Sequence, residues 1–470
     1  MAIKVTINGK EIITEEGKTI LQVALENGIY IPHFCYHPHL EIRGSCRMCL
    51  VKVEGMPKLQ ISCATRVQDG MVVDTECEEV REARRAVLEF MLKNHPIDCP
   101  ICDKAGECTL QNYYMDYDLA PSRLNPLDAK VKKGKRLVMG PTLILDQERC
   151  ILCHRCVRFM RDIARDECLT PAERGDRTVI TTFPGKEINN PYSLCLTDIC
   201  PVGAWTSRDF RFKKRVWFLT RSPSICPYCA RGCNIWIDHE NGIVYRIRPR
   251  ENEKVNKSWA CDEGRLAYKA INENRLLRAQ VRENGALREI SLEVGITRAV
   301  GLLEESQGRI LGLVSASASL EEADIFKKLI LSLGGEVAYY RRKEGEDDFL
   351  LRRADRDANL KGMQRLGLSE FSSTSLADIK LVMILESLYS EPMELADKPL
   401  LVLSPKMSAL VEKSTVALPI TCYAESEGTF INFEGIEQKF YPALAPKRDA
   451  RDGVSLIKEL AKRAELEIEK

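Results

Sequence analysis

Cys150-Ile151-Leu152-Cys153-His154-Arg155-Cys156 sets three thiols at even spacing, and a fourth, Cys200, stands before Pro201 far downstream. A deprotonated cysteine is a soft, anionic ligand suited to iron–sulfur clusters or to zinc. Three donors on one tight loop plus one remote donor can enclose one such centre. Further sets of four candidate donors, each with closely spaced members, lie on both sides. Upstream lie Cys35/Cys46/Cys49/Cys63 and His95/Cys99/Cys102/Cys108, and downstream lies Cys226/Cys229/Cys233/Cys261. Four sets of four donors within the first 261 residues point to a conductor of single electrons more than to a reaction vessel.

The remaining composition agrees with several globular domains. A chain of 470 residues exceeds one ordinary domain, and 44% hydrophobic with 29% charged residues is a folding mixture without low-complexity tracts. A net charge of +1 argues against nucleic acid as a partner. The best apolar run, Leu381 to Leu385, is far too short to span a bilayer, so no membrane insertion is expected. Met1-Ala-Ile-Lys-Val-Thr-Ile7 reads as a strand and not a signal peptide. Nineteen cysteines clustered as Cys-x-x-Cys favour metal over disulfides, and with metal a reducing cytoplasm.

Local signals place the sets on elements. Ile3, Val5 and Ile7 alternate, Asn8-Gly9 turns the chain, and a second strand runs through Ile13. Thr19 caps a short helix carrying Leu21, Val23 and Leu25. Strands at Cys49–Val53 and within Ile61–Val73 complete a small mixed sheet. Glu78 to Asn94 is a helix with Val80, Ala83, Val87 and Met91 on its apolar face, ended by Pro96. A polar loop follows to about Pro141, then a cysteine-rich helical segment to about Phe212. A β unit starts at Arg215, with Asn241-Gly242 joining Ile235–Asp238 to Ile243–Ile247. From about Gly308, strands at Ile310–Val314, Leu381–Leu385 and Leu400–Leu403 alternate with helices, one of them opened by a Ser319/Glu322 capping box. This predicts an α/β domain with a parallel sheet.

Each set has its own logic. Cys35/Cys46/Cys49/Cys63 follow strands on a loop where Gly44 and Ser45 let backbone amides approach sulfide, which suits a [2Fe–2S] cluster. His33, His37 and His39 on that loop read as solvation and packing. His95 alone would be a helix C-cap, since the dipole favours it there. Beside Cys99, Cys102 and Cys108, which lack a fourth thiolate, it reads as the missing ligand of a [4Fe–4S] cluster. Bacterial two-cluster ferredoxins repeat C-x2-C-x2-C-x3-C-P, the fourth Cys serving the other cluster. Against that pattern Cys150, Cys153, Cys156 and Cys200 remain, while Met160, Asn190, Ser193 and Leu196 stand where the other four ligands would be. One [4Fe–4S] cluster is therefore expected where two once sat. Cys226/Cys229/Cys233/Cys261 suits a third [4Fe–4S] cluster, with a zinc ribbon as the alternative. Cys77, Cys168, Cys195 and Cys422 read as small buried hydrophobes.

Ile-Pro-His-Phe-Cys35, Gly-Ser-Cys46-Arg-Met-Cys49, His95-Pro-Ile-Asp-Cys99-Pro-Ile-Cys102, Gly-Glu-Cys108, Cys150-Ile-Leu-Cys153-His-Arg-Cys156-Val-Arg and Ile-Cys200-Pro-Val-Gly-Ala resemble, in this order, the large iron–sulfur subunit of NADH:quinone oxidoreductase, respiratory complex I. They also resemble the related subunits of soluble NAD-linked hydrogenases and formate dehydrogenases. Cys226 to Arg265 resembles the cluster domain of molybdopterin oxidoreductases, and Val416 to Ile420 with Glu425 to Gly435 a piece of their larger domain.

The resemblance implies an α+β multidomain chain. The expected units are a β-grasp [2Fe–2S] ferredoxin domain at 1–76, a His/Cys3 cluster domain at 77–117, a linker at 118–140, a [4Fe–4S] ferredoxin-like domain at 141–212, a molybdopterin-oxidoreductase-type cluster domain at 213–275, and a truncated α/β domain without pterin at 276–470. It further implies electrons passing from a separate FMN- and NAD(P)H-binding flavoprotein, with its small [2Fe–2S] subunit, through the first, third and second sets. The fourth set lies off that line. No G-x-G-x-x-G and no P-loop occurs, so neither flavin nor nucleotide is expected here. The chain's end, short of a full pterin domain, favours a soluble complex with a hydrogenase or formate dehydrogenase, electron-bifurcating or ferredoxin-linked. The alternative is the respiratory subunit, at the inner face of the membrane.

Overall fold

Asn8 and Gly9 both adopt positive φ, 51° and 77°, a turn whose twist matches the strands it joins. Ala2–Ile7 and Lys10–Glu15 therefore pair antiparallel, Val5 opposite Ile12. The computed structural model describes residues 2–117, 130–372, 376–391, 393, 395 and 398–468. The chain divides into two units, Met1–Phe218 and Leu219–Lys470.

In the first unit a five-stranded sheet runs Lys10–Glu15, Ala2–Ile7, Met71–Asp74, Leu50–Val53, Gln60–Ile61, with Ala2–Ile7 and Met71–Asp74 parallel. The helix Ile20–Glu26 starts at Thr19: its hydroxyl accepts from the Gln22 N–H, and the Gln22 side chain accepts from the Thr19 N–H. That helix buries Ile20, Leu21, Val23 and Ala24 with Val5, Ile7, Val51 and Val73 of the sheet. This is the β-grasp arrangement expected.

The helix Glu78–Asn94 has the bounds that its periodicity predicts, but its buried line is different. Val80, Arg84 and Leu88 are buried, whereas Ala83, Val87 and Met91 are only half-buried. The Arg84 guanidinium reaches Glu76 (2.8 Å) and packs over Tyr117, so a charged residue occupies the core face. Cys77 caps this helix and is half-exposed, not a buried thiol; Cys168, Cys195 and Cys422 are buried. The linker expected at 118–140 falls largely on 118–129, outside the described residues.

Residues 141–212 are not the helical segment expected. Single turns at Arg155–Arg158, continuing as a π-helical turn at Phe159–Ile163, and at Cys195–Ile199 alternate with strands. Leu169–Ala172 pairs with Val179–Thr182, and Trp205–Ser207, Leu143–Leu145 and Leu137–Val138 form a small sheet. Helical stretches this short stand by packing, not by propensity.

The first strand of the second unit starts at Thr220, after a 3-10 turn at Val216–Phe218 replaces the strand expected from Arg215. Thr220–Ile225, Asn234–Glu240 and Ile243–Pro249 form an antiparallel sheet turned at Asn241-Gly242. An eight-stranded sheet follows in the order Ala286–Ile290, Ala279–Glu283, Val416–Pro419, Leu400–Ser404, Leu381–Leu385, Ile310–Ser315, Glu336–Tyr340, Ser369–Glu370. The six strands from Val416–Pro419 onward are parallel; the first two add an antiparallel edge. Every residue of Ile310–Ser315, Leu381–Leu385 and Leu400–Ser404 is buried, as in a parallel sheet covered on both faces. The helices Leu292–Glu305, Leu320–Ser332 and Gly453–Arg463 cover one face.

Candidate metal centres

Cys35 and Cys46 lie on the loop after the first helix, Cys49 just before the strand Leu50–Val53, and Cys63 just after Gln60–Ile61. Positive φ at Gly44 (64°) and Arg47 (61°) coils this loop, and the Cys35 N–H donates to Cys46 Sγ at 3.5 Å. The Cys35 thiol hydrogen-bonds Cys46 and Cys63, and Cys49 hydrogen-bonds Cys63. The four sulfurs thus surround one point. Those contacts hold Cys35 and Cys49 below the usual thiol range and push Cys46 and Cys63 above it.

His95 ends the helix Glu78–Asn94 in extended conformation, since Pro96 forbids another helical residue. Burial, with Arg149 and Lys130 nearby, holds its imidazole down at about 4. It is therefore neutral, the form that ligates metal. Its Nδ1 is buried without a hydrogen-bond partner. Cys99 opens a 3-10 turn that Cys102 closes, and Cys108 precedes the helix Thr109–Tyr117. Burial raises Cys102 and pushes Cys108 up to about 11.

Leu152 and His154 both take positive φ, 55° and 58°, which wraps the backbone between Cys150 and Cys156. The Leu152 N–H donates to Cys150 Sγ at 3.4 Å. Burial, then the charges of Cys150, Cys153 and Cys200, pushes Cys156 well up, so these four thiols share one neighbourhood. Met160, Ser193 and Leu196, at three of the positions where a second set is missing, are buried among other side chains. Ser193 Oγ bonds Thr142 Oγ1 at 2.6 Å.

The fourth set bridges two strands and a helix start. The Cys226 N–H donates to the Cys233 carbonyl at 2.8 Å, and Cys261 Sγ accepts from the Gly264 N–H at 3.4 Å. A Cβ on Gly264 would stand 3.1 Å from Cys226 Sγ and 3.4 Å from Cys261 Sγ, so this glycine lets both halves converge. Burial is the largest influence on Cys226, Cys229, Cys233 and Cys261 and raises all four. The hairpin Gly428–Ile431/Glu437–Phe440 and its turn clamp the Cys229–Cys233 loop. The Phe433 N–H donates to the Ala230 carbonyl (2.9 Å) and Gln438 Nε2 to the Gly232 carbonyl (2.8 Å).

The first three sets are laced together by residues to which the sequence assigned no role. Arg149, just before Cys150, forms a two-pronged ion pair with Asp98, just before Cys99 (2.9 and 3.3 Å). The Thr109 N–H, after Cys108, donates to the carbonyl of Pro201, after Cys200 (2.9 Å). Arg158 Nη2 donates to the carbonyls of Cys35 and Cys153. The one sequence signal available was a charge directly beside two of the ligand runs, Asp98 before Cys99 and Arg149 before Cys150.

Five family models match the chain in order. They are described as a 2Fe-2S iron-sulfur cluster binding domain (residues 1–78), the NADH-ubiquinone oxidoreductase-G iron-sulfur binding region (84–123), the NADH-quinone oxidoreductase subunit 3 ferredoxin-like domain (140–206), the molybdopterin oxidoreductase Fe4S4 domain (219–273) and molybdopterin oxidoreductase (356–463). The G subunit of NADH-quinone oxidoreductase from Rickettsia conorii is 39% identical over 333 residues, 71% of this chain and 49% of that one. The chain belongs to the family of the large iron–sulfur subunit of NADH-quinone oxidoreductase. The NADH-ubiquinone oxidoreductase 78 kDa subunit of Neurospora crassa is 43% identical over 269 residues, 56% of this chain and 36% of its own. An NAD+-reducing [NiFe]-hydrogenase, solved in its H2-reduced state, is 30% identical at a TM-score of 0.41, covering 46% of this chain and 91% of that one. The chain spans about half the length of the Rickettsia relative. Iron–sulfur domains of both the 2Fe-2S and 4Fe-4S kind, followed by a molybdopterin-type domain, are thus present, in the order expected of this family. Among the described residues no helix is long and apolar enough to cross a membrane.

Proposed function

We propose that this chain is the iron–sulfur electron-transfer subunit of an NAD(P)H-linked oxidoreductase complex, taking electrons from a flavoprotein subunit. It would hold one [2Fe–2S] cluster on Cys35, Cys46, Cys49 and Cys63. Three [4Fe–4S] clusters would sit on His95/Cys99/Cys102/Cys108, Cys150/Cys153/Cys156/Cys200 and Cys226/Cys229/Cys233/Cys261. Such clusters, when bound, take up and release single electrons.

The observation that carries this reading is the spacing of the donors. Closely spaced thiols converge within the sets: the Cys35 thiol bonds those of Cys46 and Cys63, and Cys150, Cys153, Cys156 and Cys200 share one neighbourhood. Four such sets in one chain support iron–sulfur clusters that pass single electrons. The unpartnered Nδ1 of His95 supports the mixed set in the same way. Burial of the thiols keeps water from the centres. Peptide N–H groups aimed at Cys46, Cys150 and Cys261 favour the anionic form of sulfur.

The names of the relatives favour an NADH–quinone oxidoreductase as the complex. A hydrogenase or formate dehydrogenase partner, with or without electron bifurcation, is the competing arm. Anaerobic co-purification with identification of the partner chains separates them. The isolated chain, reduced by dithionite, should show electron paramagnetic resonance signals yet fail to oxidise NADH with an artificial acceptor. NADH oxidation by the flavin-free chain alone would overturn the reading.

A further inference from the structure

Buried arginines in this protein are as a rule matched by an acid. Arg84 meets Glu76 at 2.8 Å, Arg149 meets Asp98 at 2.9 Å, and Arg275 meets Glu425 at 2.6 Å. Arg158 breaks the rule. It is 2% exposed, and every partner it has is a backbone carbonyl. Nη2 donates to Cys35 (2.5 Å) and Cys153 (3.3 Å), Nε to His154 (3.2 Å), and Nη1 to Glu41. Among the described residues no carboxylate lies within ion-pair reach of it; the Glu41 carboxylate turns instead to Arg161 (3.0 Å). Arg155 repeats the pattern, donating to the carbonyls of Tyr36 and Ile199. A buried cation without an anion is costly, and a second cation nearby adds to the cost.

The carbonyls that Arg158 chooses give the answer. Cys35 belongs to the first set and Cys153 to the third, and one nitrogen atom spans both. A cluster held by four thiolates carries net negative charge. We propose that Arg158 is a positioning residue that fixes the first and third sets at one separation, and that its buried charge is balanced by the anionic centres on either side. This rests on the electron-transfer reading above. The rigid guanidinium fork suits the task, because it can serve several carbonyls at once and stays protonated. A fixed positive charge stabilises the reduced, more negative form of each neighbouring centre. It therefore raises both potentials together and keeps transfer between them nearly level.

The test is a redox titration of the full chain, loaded anaerobically and followed by electron paramagnetic resonance, in wild type, Arg158→Gln and Arg158→Lys. Signals are assigned with Cys35→Ser and Cys153→Ser. In Arg158→Gln the first- and third-set signals should become harder to reduce by at least tenfold, about 59 mV for one electron. The other two should stay in place. Arg158→Lys keeps the charge but loses the fork, so the same two signals should move the same way by less. If Arg158→Gln loses its iron, Arg158→Lys is read instead, and a shift confined to those two signals is the expected result. Wild-type potentials at both sites, or a common shift of all four, would overturn the proposal. Wild-type protein without iron–sulfur signals would instead sink the electron-transfer reading beneath it.

Discussion

Gly203 and Cys102 are in contact: a Cβ on residue 203 would stand 2.4 Å from the Cys102 sulfur. Gly203 follows Cys200 of the third set, whereas Cys102 belongs to the second, so two neighbouring sites share this close approach. Gly203→Ala should displace Cys102 and diminish one [4Fe–4S] signal with a matching loss of iron. Gly301→Ala, in the helix Leu292–Glu305 with nothing within 4 Å of the added carbon, is the control. It should leave every signal intact and stabilise by up to about 1 kcal/mol. Equal spectra for the two variants would remove the role given to Gly203.

Cys195 and Cys200 lie at the two ends of one short helical turn, both buried. Cys200 shares the neighbourhood of Cys150, Cys153 and Cys156. Cys200→Ser should abolish one [4Fe–4S] signal, and Cys195→Ser should keep all of them at a cost of about 1 kcal/mol in stability. The reverse result would show that the third set is wrongly assigned.

Arg275 and Glu425 form a two-pronged pair at 2.9 and 2.6 Å with both side chains buried. Glu425 also accepts from the Cys422 N–H, and Arg275 donates to the Pro405 carbonyl. The pair ties the segment after the fourth set to the large sheet. Glu425→Ala leaves a buried guanidinium unmatched and should cost about 3–5 kcal/mol. Urea unfolding followed by circular dichroism measures this, and a loss below about 1 kcal/mol would contradict it.

Asp357 is buried and accepts hydrogen bonds from Ser317 Oγ (2.8 Å) and the Arg342 N–H (3.0 Å). Burial outweighs these bonds and pushes its carboxyl from 3.8 up to about 6. The folded state therefore keeps a proton that the unfolded state has lost between about pH 4 and pH 6. Stability should fall as pH rises through that window and level off above it, a change of about 3 kcal/mol. Asp357→Asn removes that slope. The amide cannot accept both hydrogen bonds, which offsets about 1 kcal/mol of the gain. Melting at pH 4.5 and 7.5 should show the variant gaining on wild type at the higher pH; a constant difference would contradict the assignment.

What the sequence disclosed is what local chemistry dictates. The Asn8-Gly9 turn, the Thr19 cap, the Ser319/Glu322 capping box and the bounds of the helix Glu78–Asn94 depend on residues within a few positions of one another, and each is found as read. The donor sets are proposed from spacing alone, since closely spaced thiols are what a ligand loop requires. The apolar face of that helix was misread because Arg84, neutralised by Glu76, takes a core position that a hydrophobicity pattern assigns to an aliphatic residue. The antiparallel edge Ala279–Ile290 escaped notice because it joins Val416–Pro419, far away in sequence. Arg158 and Gly203 act through contacts with other ligand loops, Cys35 and Cys102, which no short window contains.

The most direct test is the iron and acid-labile sulfide content of the anaerobically prepared, folded chain. One [2Fe–2S] and three [4Fe–4S] clusters give about fourteen of each per chain, in a brown protein. A colourless, folded protein with zinc in place of iron, or with no metal at all, would contradict the account.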